Sequence, residues 1–258
     1  MKIQLLPSSF DEQGGISPEQ RFTCFLVDDC IAVDAGCLAL ALTDAQREQV
    51  RDIIVTHPHM DHIASLPIFI DDLFGTLREP VRVYATPEVI AILERDVFNW
   101  TVYPRFSELK NEYGPVMQYV PVELGKEFPV RHLRVTAVAV NHIVPTFGLV
   151  AQGPYQNVAF SSDTAATDDF WTLVNTLPNL DALLIEASFP NELSDLAWVS
   201  RHFTPATLAQ ELTKLRHRDM DVLIVHIKPS YREQVVAELH ALNYPGLQPM
   251  EPGRDYEW

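Results

Sequence analysis

Residues 55–66 contain an unusual concentration of side chains that bind divalent metal ions. Between positions 57 and 62, four residues are of this kind: His57, His59, Asp61 and His62. Neutral imidazole suits Zn, Fe, Ni and Cu, and carboxylate oxygen also suits Mn. A catalytic ion takes about three protein ligands and a water, so a single ion does not need four ligands from one loop. The spacing therefore predicts half of a two-metal site, the alternative being a histidine-rich surface turn.

The elements around this loop indicate how its side chains are positioned. The apolar, β-branched run at 53–55 predicts a buried strand that enters a turn at Pro58. Further along the chain, four other side chains with useful chemistry each end an apolar, strand-like run: His142, Asp163, Glu186 and His226. Because α/β folds collect functional side chains at the ends of strands, we expect these residues to share one site with the loop.

The pattern His57-x-His59-x-Asp61-His62 resembles the HxHxDH signature of the metallo-β-lactamase superfamily. The resemblance implies an α/β fold, a four-layer αββα sandwich, with a dinuclear metal site at one edge. It also implies two sets of ligands: His57, His59 and His142 for one ion, and Asp61, His62 and His226 for the other. Asp163 would bridge the two divalent ions, which we predict to be Zn²⁺, with Mn²⁺ or Fe as alternatives.

The chemistry of such a site follows from charge. Two cations about 4 Å apart lower the pKa of a bridging water, so that hydroxide exists at neutral pH. They also bind a phosphoryl or carbonyl oxygen and stabilise the negative charge that develops on it. The resemblance therefore implies a metal-dependent hydrolase that needs no serine or cysteine nucleophile.

Three further segments resemble phosphodiesterase branches of the superfamily. Residues 200–205 (Ser-Arg-His-Phe-Thr-Pro) resemble an element shared by the class II cyclic nucleotide phosphodiesterases and the tRNA 3′-processing endonucleases. Residues 226–230 (His-Ile-Lys-Pro-Ser) resemble the HIKP stretch of the class II branch. Residues 162–164 (Ser-Asp-Thr) resemble the SGDT element of both branches, with Ser162 in place of the usual glycine.

This resemblance implies a general acid at His202. An alkoxide is a poor leaving group, and a proton donor with a pKa near neutrality accelerates its departure by about 10²–10⁴-fold. Residues 186–189 (Glu-Ala-Ser-Phe) resemble the EATF element of the tRNA nucleases, in which the glutamate orients the histidine. A carboxylate at Glu186 would raise the pKa of His202. The predicted catalytic residues are His202, Glu186 and Asp61.

Several of these residues also fit a purely structural role. His142 and His226, each taken alone, are typical of buried structural histidines, and the loop at 57–62 is what favours their interpretation as ligands. Glu186 also fits a surface carboxylate at a strand end, and His202 a neighbour of a helix N-cap. Residues 34–36 (Asp-Ala-Gly) resemble a strand-end element common in the superfamily, but equally fit a simple aspartate turn before glycine.

Net charge separates the two phosphodiesterase branches. The chain has 258 residues, 47% of them hydrophobic, which suits one large domain over residues 1–258. Its 19 basic and 35 acidic residues give a formal net charge of −16. Nucleic-acid affinity depends mainly on phosphate electrostatics, so long nucleic acids are disfavoured as partners. The predicted reaction is hydrolysis of 3′,5′-cyclic nucleotides, such as cAMP or cGMP, to nucleoside monophosphates through a metal-bridging hydroxide.

Alternatives to this reaction remain open. They are RNase Z-like tRNA 3′-processing, another small-molecule metallo-hydrolase activity, and a non-enzymatic sensor of nucleotide or metal. The aromatic, turn-rich segment at about 99–128 predicts a substrate lid, or else a packed surface excursion. The superfamily branch suggests a homodimer.

The remaining features predict a cytoplasmic protein with no membrane partner. The apolar run at the N-terminus is too short for a signal peptide, and no stretch approaches the length of a membrane span. Cys24, Cys30 and Cys37 form no CxxC pair and lie in or near apolar segments, which favours buried free thiols in a reducing compartment.

Periodicity and turn residues predict the elements along the chain. The predicted strands are 3–6, 22–26, 30–34, 53–55, 81–85, 130–140, 149–152, 157–161, 180–185 and 222–225. The predicted helices are 39–50, 63–73, 87–98, 206–217 and 231–242. Thr86 is expected to cap the third of these helices, with Pro87 at its first position. The polar C-terminal residues 251–258 are expected to lie across the surface.

Overall fold

A computed structural model describes residues 1–258 and shows an α/β fold in two compact units. The first unit contains Met1–Ser17, Phe22–Glu123 and Pro252–Glu257. The second contains Pro18–Arg21, Leu124–Glu251 and Trp258. None of the helices combines the length and the apolar character needed to cross a membrane. The expectation of one domain over residues 1–258 stays a prediction.

The first unit is built on a seven-stranded sheet. In spatial order its strands are Asp255–Glu257, Lys2–Leu5, Phe25–Val27, Ile31–Val33, Asp52–Ile54, Val81–Ala85 and Met117–Pro121. The first four strands run antiparallel to one another and the last four run parallel. Parallel strands are covered on both faces, which explains the continuous apolar run at 53–55 that precedes the histidine loop.

Short helices complete the first unit. They are Leu38–Ala41, Asp44–Gln49, Met60–Ile63, Leu66–Leu73 and Pro87–Ile92, with a π-helical turn at Leu93–Val97 and a 3₁₀ turn at Phe106–Glu108; a small hairpin pairs Lys110–Asn111 with Gly114–Pro115. Phe69 and Leu93 pack with Val83 of the sheet in one buried core. As predicted, Thr86 caps the helix Pro87–Ile92, since its side chain accepts a hydrogen bond from the backbone N of Val89.

The second unit is built on another seven-stranded sheet. In spatial order its strands are Leu247–Pro249, Asp221–Val225, Ala182–Glu186, Asn157–Phe160, Phe147–Gln152, Leu133–Ala139 and Glu127–Val130. The first four run parallel and the last four antiparallel. Its helices are Asp169–Val174, Ser194–Ser200, Pro205–Leu212 and Arg232–Ala241, with 3₁₀ turns at Asn191–Leu193 and Pro229–Tyr231.

This parallel arrangement decides where functional side chains of the second unit can lie. The register pairs Phe160 with Leu184, and Glu186 with Val225. The strands Asn157–Phe160, Ala182–Glu186 and Asp221–Val225 therefore end at the same edge of the sheet. Glu186 ends the second of these strands, and Asp163 and His226 lie in the loops that follow the first and the third.

Two predicted elements are each divided in the structure. The strand expected over 130–140 is a hairpin, because the chain turns at Arg131, whose φ is 52°. The helix expected over 39–50 is two helices, because Thr43 caps the second one and accepts a hydrogen bond from the backbone N of Gln46 at 3.3 Å. Local turn and capping chemistry overrides the apolar pattern at both places.

Other expectations need correction in the outer parts of the chain. The C-terminal residues do not merely cover the surface, because Asp255–Glu257 pairs with the first strand and Tyr256 is buried. The 99–128 segment is not wholly irregular, because it contains the edge strand Met117–Pro121. Cys24 and Cys37 are buried free thiols as expected, whereas Cys30 is only half-buried.

Candidate metal centre

The histidine loop lies in the first unit, between the strand Asp52–Ile54 and the helix Met60–Ile63. His57 and His62 are buried, and His59 and Asp61 are half-buried. The ring centroid of His57 lies 4.8 Å from that of His59 and 4.0 Å from that of His62. Imidazoles packed this closely present several nitrogen donors to one small space, as binding of a divalent ion requires.

A buried carboxylate, Asp34, orients this loop. Its Oδ1 accepts hydrogen bonds from the backbone N of Thr56 at 2.8 Å and from the Thr56 hydroxyl at 3.0 Å. Its Oδ2 lies 2.7 Å from Nδ1 of His62. Because a carboxylate that accepts from Nδ1 fixes the tautomer, Nε2 of His62 is the nitrogen that can bind an ion. Nδ1 of His57 lies 3.1 Å from the Thr56 hydroxyl, so Asp34 also reaches His57 through Thr56.

Gly36 holds the backbone of the loop in place. A Cβ at this position would lie 2.0 Å from the carbonyl oxygen of Asp61, so only glycine allows this approach. That carbonyl accepts from the backbone N of Thr23 at 2.8 Å, and the carbonyl of His62 accepts from Ala35 at 2.7 Å. Residues 34–36 therefore support the histidine loop, which decides between the two interpretations that the sequence left open for this segment.

In the second unit, His142 follows the strand Leu133–Ala139. Its Nδ1 lies 3.1 Å from the carbonyl oxygen of Arg201, the left-handed residue (φ 55°) that ends the helix Ser194–Ser200. Since a carbonyl only accepts, Nδ1 carries the proton and Nε2 is the atom that could bind an ion. Burial lowers the pKa of His142 to about 4, which keeps the imidazole in the neutral form that binds metal.

Asp163 and His226 lie close together, each after one of the two strands that flank the strand Ala182–Glu186 in the second unit. Nε2 of His226 is 3.4 Å from Oδ2 of Asp163, and their side chains are 6% and 3% exposed. Ligand atoms 2.0–2.1 Å from a tetrahedral ion lie roughly 3.3 Å apart, so this separation fits a shared divalent ion. Donor atoms of Asp163, His202 and His226 all lie within 4.8 Å of one another. Ser162, where glycine is usual, adopts the left-handed conformation with φ 55°.

Glu186 ends the strand Ala182–Glu186 and is completely buried, so it is not a surface carboxylate. Its Oε1 lies 2.7 Å from Nδ1 of His202 and accepts from the backbone N of Thr164 at 2.8 Å. Its Oε2 accepts from the Ser188 hydroxyl at 2.7 Å and from the backbone N of Phe203 at 3.2 Å. Burial lowers the pKa of His202, but the charge of Glu186 outweighs this and the pKa lies above its usual 6.5.

A family profile described as beta-lactamase superfamily domain matches residues 25–227. The chain belongs to this superfamily. It is 26% identical over 257 aligned residues to the probable 3′,5′-cyclic-nucleotide phosphodiesterase of Yersinia pestis, covering 84% of this chain and 73% of that protein. It is 26% identical over 210 residues to the 3′,5′-cyclic-nucleotide phosphodiesterase of Aliivibrio fischeri, covering 72% of this chain and 62% of that protein, slightly less than two thirds of its length.

Solved structures of the superfamily share this fold. The crystal structure of unliganded yeast PDE1 has a TM-score of 0.75 at 16% identity and covers 96% of both chains. The short form of human tRNase Z has a TM-score of 0.69 at 15% identity, covering 100% of this chain and 99% of that one. The predicted metallo-β-lactamase fold is therefore confirmed, and so is the prediction of a metal-dependent hydrolase.

Within each unit, the structure brings together most of the residues that the sequence singled out. The first unit gathers His57, His59 and His62, and the second gathers Asp163, His202, His226 and Glu186. The assignment of individual ligands and of the catalytic residues stays a prediction. Sequence reasoning missed Thr56 and Ser188, the two hydroxyls that connect a buried carboxylate to a histidine, because isolated hydroxyl residues carry no spacing signal.

Proposed function

We propose that the chain is a dinuclear metal-dependent phosphodiesterase that opens the 3′,5′-cyclic phosphodiester of nucleotides such as cAMP or cGMP. The proposed metal ligands are His57, His59, Asp61, His62, His142, Asp163 and His226. The observation that carries the proposal is the buried pair of Glu186 and His202, 2.7 Å apart, beside the donor atoms of Asp163 and His226. A cluster of possible metal ligands with a proton donor beside it suits a substrate whose leaving group is an alkoxide.

The chemistry divides between the ions and the side chains. Bound at these residues, two divalent ions would activate a water and stabilise charge on the phosphoryl oxygens. When water adds to phosphorus and the P–O3′ bond breaks, His202 gives a proton to the departing O3′. Glu186 accepts from Nδ1 of His202 and so directs Nε2–H toward the cluster. The proton from His202 therefore goes to the 3′ oxygen, and the product is a nucleoside 5′-monophosphate.

A nearby cation supports an anionic substrate. Nζ of Lys228 lies 3.5 Å from Nε2 of His226. An ammonium group beside the donor cluster attracts a phosphodiester, which carries one negative charge, more strongly than it attracts a neutral amide or ester. Lys228 also belongs to the segment that resembles the HIKP stretch, which agrees with the names of the two phosphodiesterase relatives.

A small nucleotide fits better than a long nucleic acid. The formal net charge of −16 repels a polyanion, whereas a single cyclic nucleotide needs only local positive charge. Trp100 in the 99–128 segment is exposed, and we propose it as a residue that stacks on the base. We also propose Zn²⁺ as the metal, with Mn²⁺ or Fe as alternatives, a homodimer, and a cytoplasmic location.

The proposal is tested with metal-loaded protein and four substrates: cAMP, cGMP, bis(p-nitrophenyl) phosphate and a precursor tRNA. Turnover of a cyclic nucleotide, abolished by chelator and restored by Zn²⁺ or Mn²⁺, is the expected result. Chain with His57 and His59 both changed to alanine is the control for contaminating phosphodiesterase. No turnover of any phosphodiester by fully metallated protein would remove the proposal.

A second candidate is tRNA 3′-processing. The contact between Glu186 and His202 fits this candidate equally well, since the resemblance to the EATF element implies this orientation in the tRNA nucleases. Faster cleavage of precursor tRNA than of cAMP or cGMP would establish this candidate instead. Tight nucleotide binding by metallated protein without turnover would indicate a sensor.

A further inference from the structure

Ser188 lies at the centre of the polar contacts in the second unit. It follows the strand Ala182–Glu186 and has no exposed surface. Its Oγ lies 2.7 Å from Oε2 of Glu186, 3.0 Å from Nδ1 of His226 and 3.0 Å from the His226 carbonyl oxygen. The same Oγ lies 3.3 Å from Nδ1 of His202. One hydroxyl thus contacts both predicted functional histidines and the carboxylate between them.

The single proton of this hydroxyl decides the tautomer of His226. A hydroxyl donates one hydrogen bond and accepts up to two. The two oxygens of Glu186 have four hydrogen-bond partners, one of which is the Ser188 hydroxyl. A carboxylate only accepts, and the contact with Glu186 is the shortest that the Ser188 hydroxyl makes, so Ser188 donates to Glu186. Ser188 then accepts from Nδ1–H of His226, which leaves the lone pair on Nε2.

The surroundings of Nε2 agree with this assignment independently. It lies 3.4 Å from Oδ2 of Asp163 and 3.5 Å from the ammonium group of Lys228. Two acceptor atoms 3.4 Å apart repel one another unless a proton or a cation lies between them. The ammonium group of Lys228 can only donate, so its contact with Nε2 requires a lone pair on that nitrogen, which is the tautomer that Ser188 sets.

The first unit contains the same arrangement. Asp34 contacts His62 directly and reaches His57 through the hydroxyl of Thr56. Glu186 contacts His202 directly and reaches His226 through the hydroxyl of Ser188. The recurrence in a separate unit indicates a positioning device for functional histidines and not an accident of packing.

We infer that Ser188 is a positioning residue that presents Nε2 of His226 to a divalent ion and ties that ion to the same carboxylate that orients the general acid. This inference rests on the proposed function. Ser188 acts through His226 and does not itself touch substrate or metal.

The test compares Ser188→Ala and Ser188→Thr with the wild-type holoenzyme, and uses Ser200→Ala as the matched control, since the Ser200 hydroxyl bonds only to carbonyls of its own helix. Zn²⁺ content and affinity are measured by chelator competition without substrate. In Ser188→Ala, the affinity for one ion per chain is expected to fall by about 10–100-fold, the usual cost of losing such a support. Ser188→Thr and Ser200→Ala are expected to bind both ions as the wild type does.

Two results would overturn the inference: unchanged affinity for both ions in Ser188→Ala, or an equal loss in Ser188→Thr, which would indicate packing rather than hydrogen bonding. Because the readout is metal affinity, it is separate from turnover. Wild-type protein that binds metal but hydrolyses no cyclic nucleotide would overturn the proposed function and leave the role of Ser188 intact.

Discussion

The two units hold their histidines with the same device but build it from the sequence in different ways. In the first unit, the donors at 57–62 lie within one short loop, and the supporting carboxylate, Asp34, ends an adjacent parallel strand. In the second unit, His142, Asp163 and His226 come from loops after separate strands, and Glu186, at the end of a central strand, contacts His202 and reaches His226 through Ser188. One arrangement is local in the chain, and the other exists only after the sheet has formed.

This difference shows which part of the site depends on register. A shift of the strand Ala182–Glu186 by one residue would turn the Glu186 side chain to the opposite face and remove it from His202 and Ser188. A shift in register would disturb the first-unit loop less, because the predicted metal ligands at 57–62 lie in one short segment and would move together. Gly36 and the hydrogen bonds of Ala35 instead fix its backbone directly.

Replacement of His202 is expected to have the largest effect on activity. His202→Ala removes the proton donor, so kcat should fall by about 10²–10⁴-fold with both metal ions retained. The kcat for cyclic nucleotide and the metal content are measured on the same preparation. His217→Ala changes a histidine whose side chain bonds to the Val174 carbonyl; this variant serves as the control and should leave both unchanged. Metal loss in His202→Ala would show that His202 is a ligand.

Replacement of Asp34 is expected to have the next largest effect, which is a loss of metal affinity. Asp34→Ala removes the support of His62 and, through Thr56, of His57, so metal affinity should fall by about 10–100-fold. Chelator competition measures this loss. Asp72→Ala is the control, since Asp72 is exposed and pairs with Arg47. Unchanged affinity in Asp34→Ala would break the parallel drawn between the two units.

Contiguous patterns allowed much of the fold and of the first-unit loop to be predicted from sequence. The strand at 81–85 has the predicted bounds, Thr86 caps the next helix, and the loop at 57–62 gathers its imidazoles. Spacing alone carries this information, because neighbours in the chain are neighbours in space. The order of His142, Asp163, Glu186 and His226 after strands was also visible, since a strand end is a local signal.

What could not be predicted depends on contacts between distant positions. Thr56 and Ser188 are ordinary hydroxyl residues until Asp34 and Glu186 are placed beside them. The terminal strand Asp255–Glu257 is too short to show an alternating pattern, and only its pairing with the first strand makes it part of the sheet. Arg131 adopts a positive φ in its turn, and an arginine in the sequence does not predict this conformation.

Replacement of Glu186 by glutamine is expected to have the smallest effect, a displacement of the pH profile. A general acid must be protonated, so kcat falls as pH rises through the pKa of His202. Glu186 raises that pKa, and a neutral amide of equal size does not, so in Glu186→Gln the fall should begin at lower pH. The kcat–pH profile of the metal-loaded variant measures this displacement.

Asp34→Asn is the matched change in the first unit, where the carboxylate supports only predicted ligand histidines. This variant should bind metal more weakly, but the pH at which kcat falls on the alkaline side should not change. If both variants showed an equal displacement, the fall in kcat at high pH would report the metal centre and not His202. Asp34 and Glu186 would then have the same role.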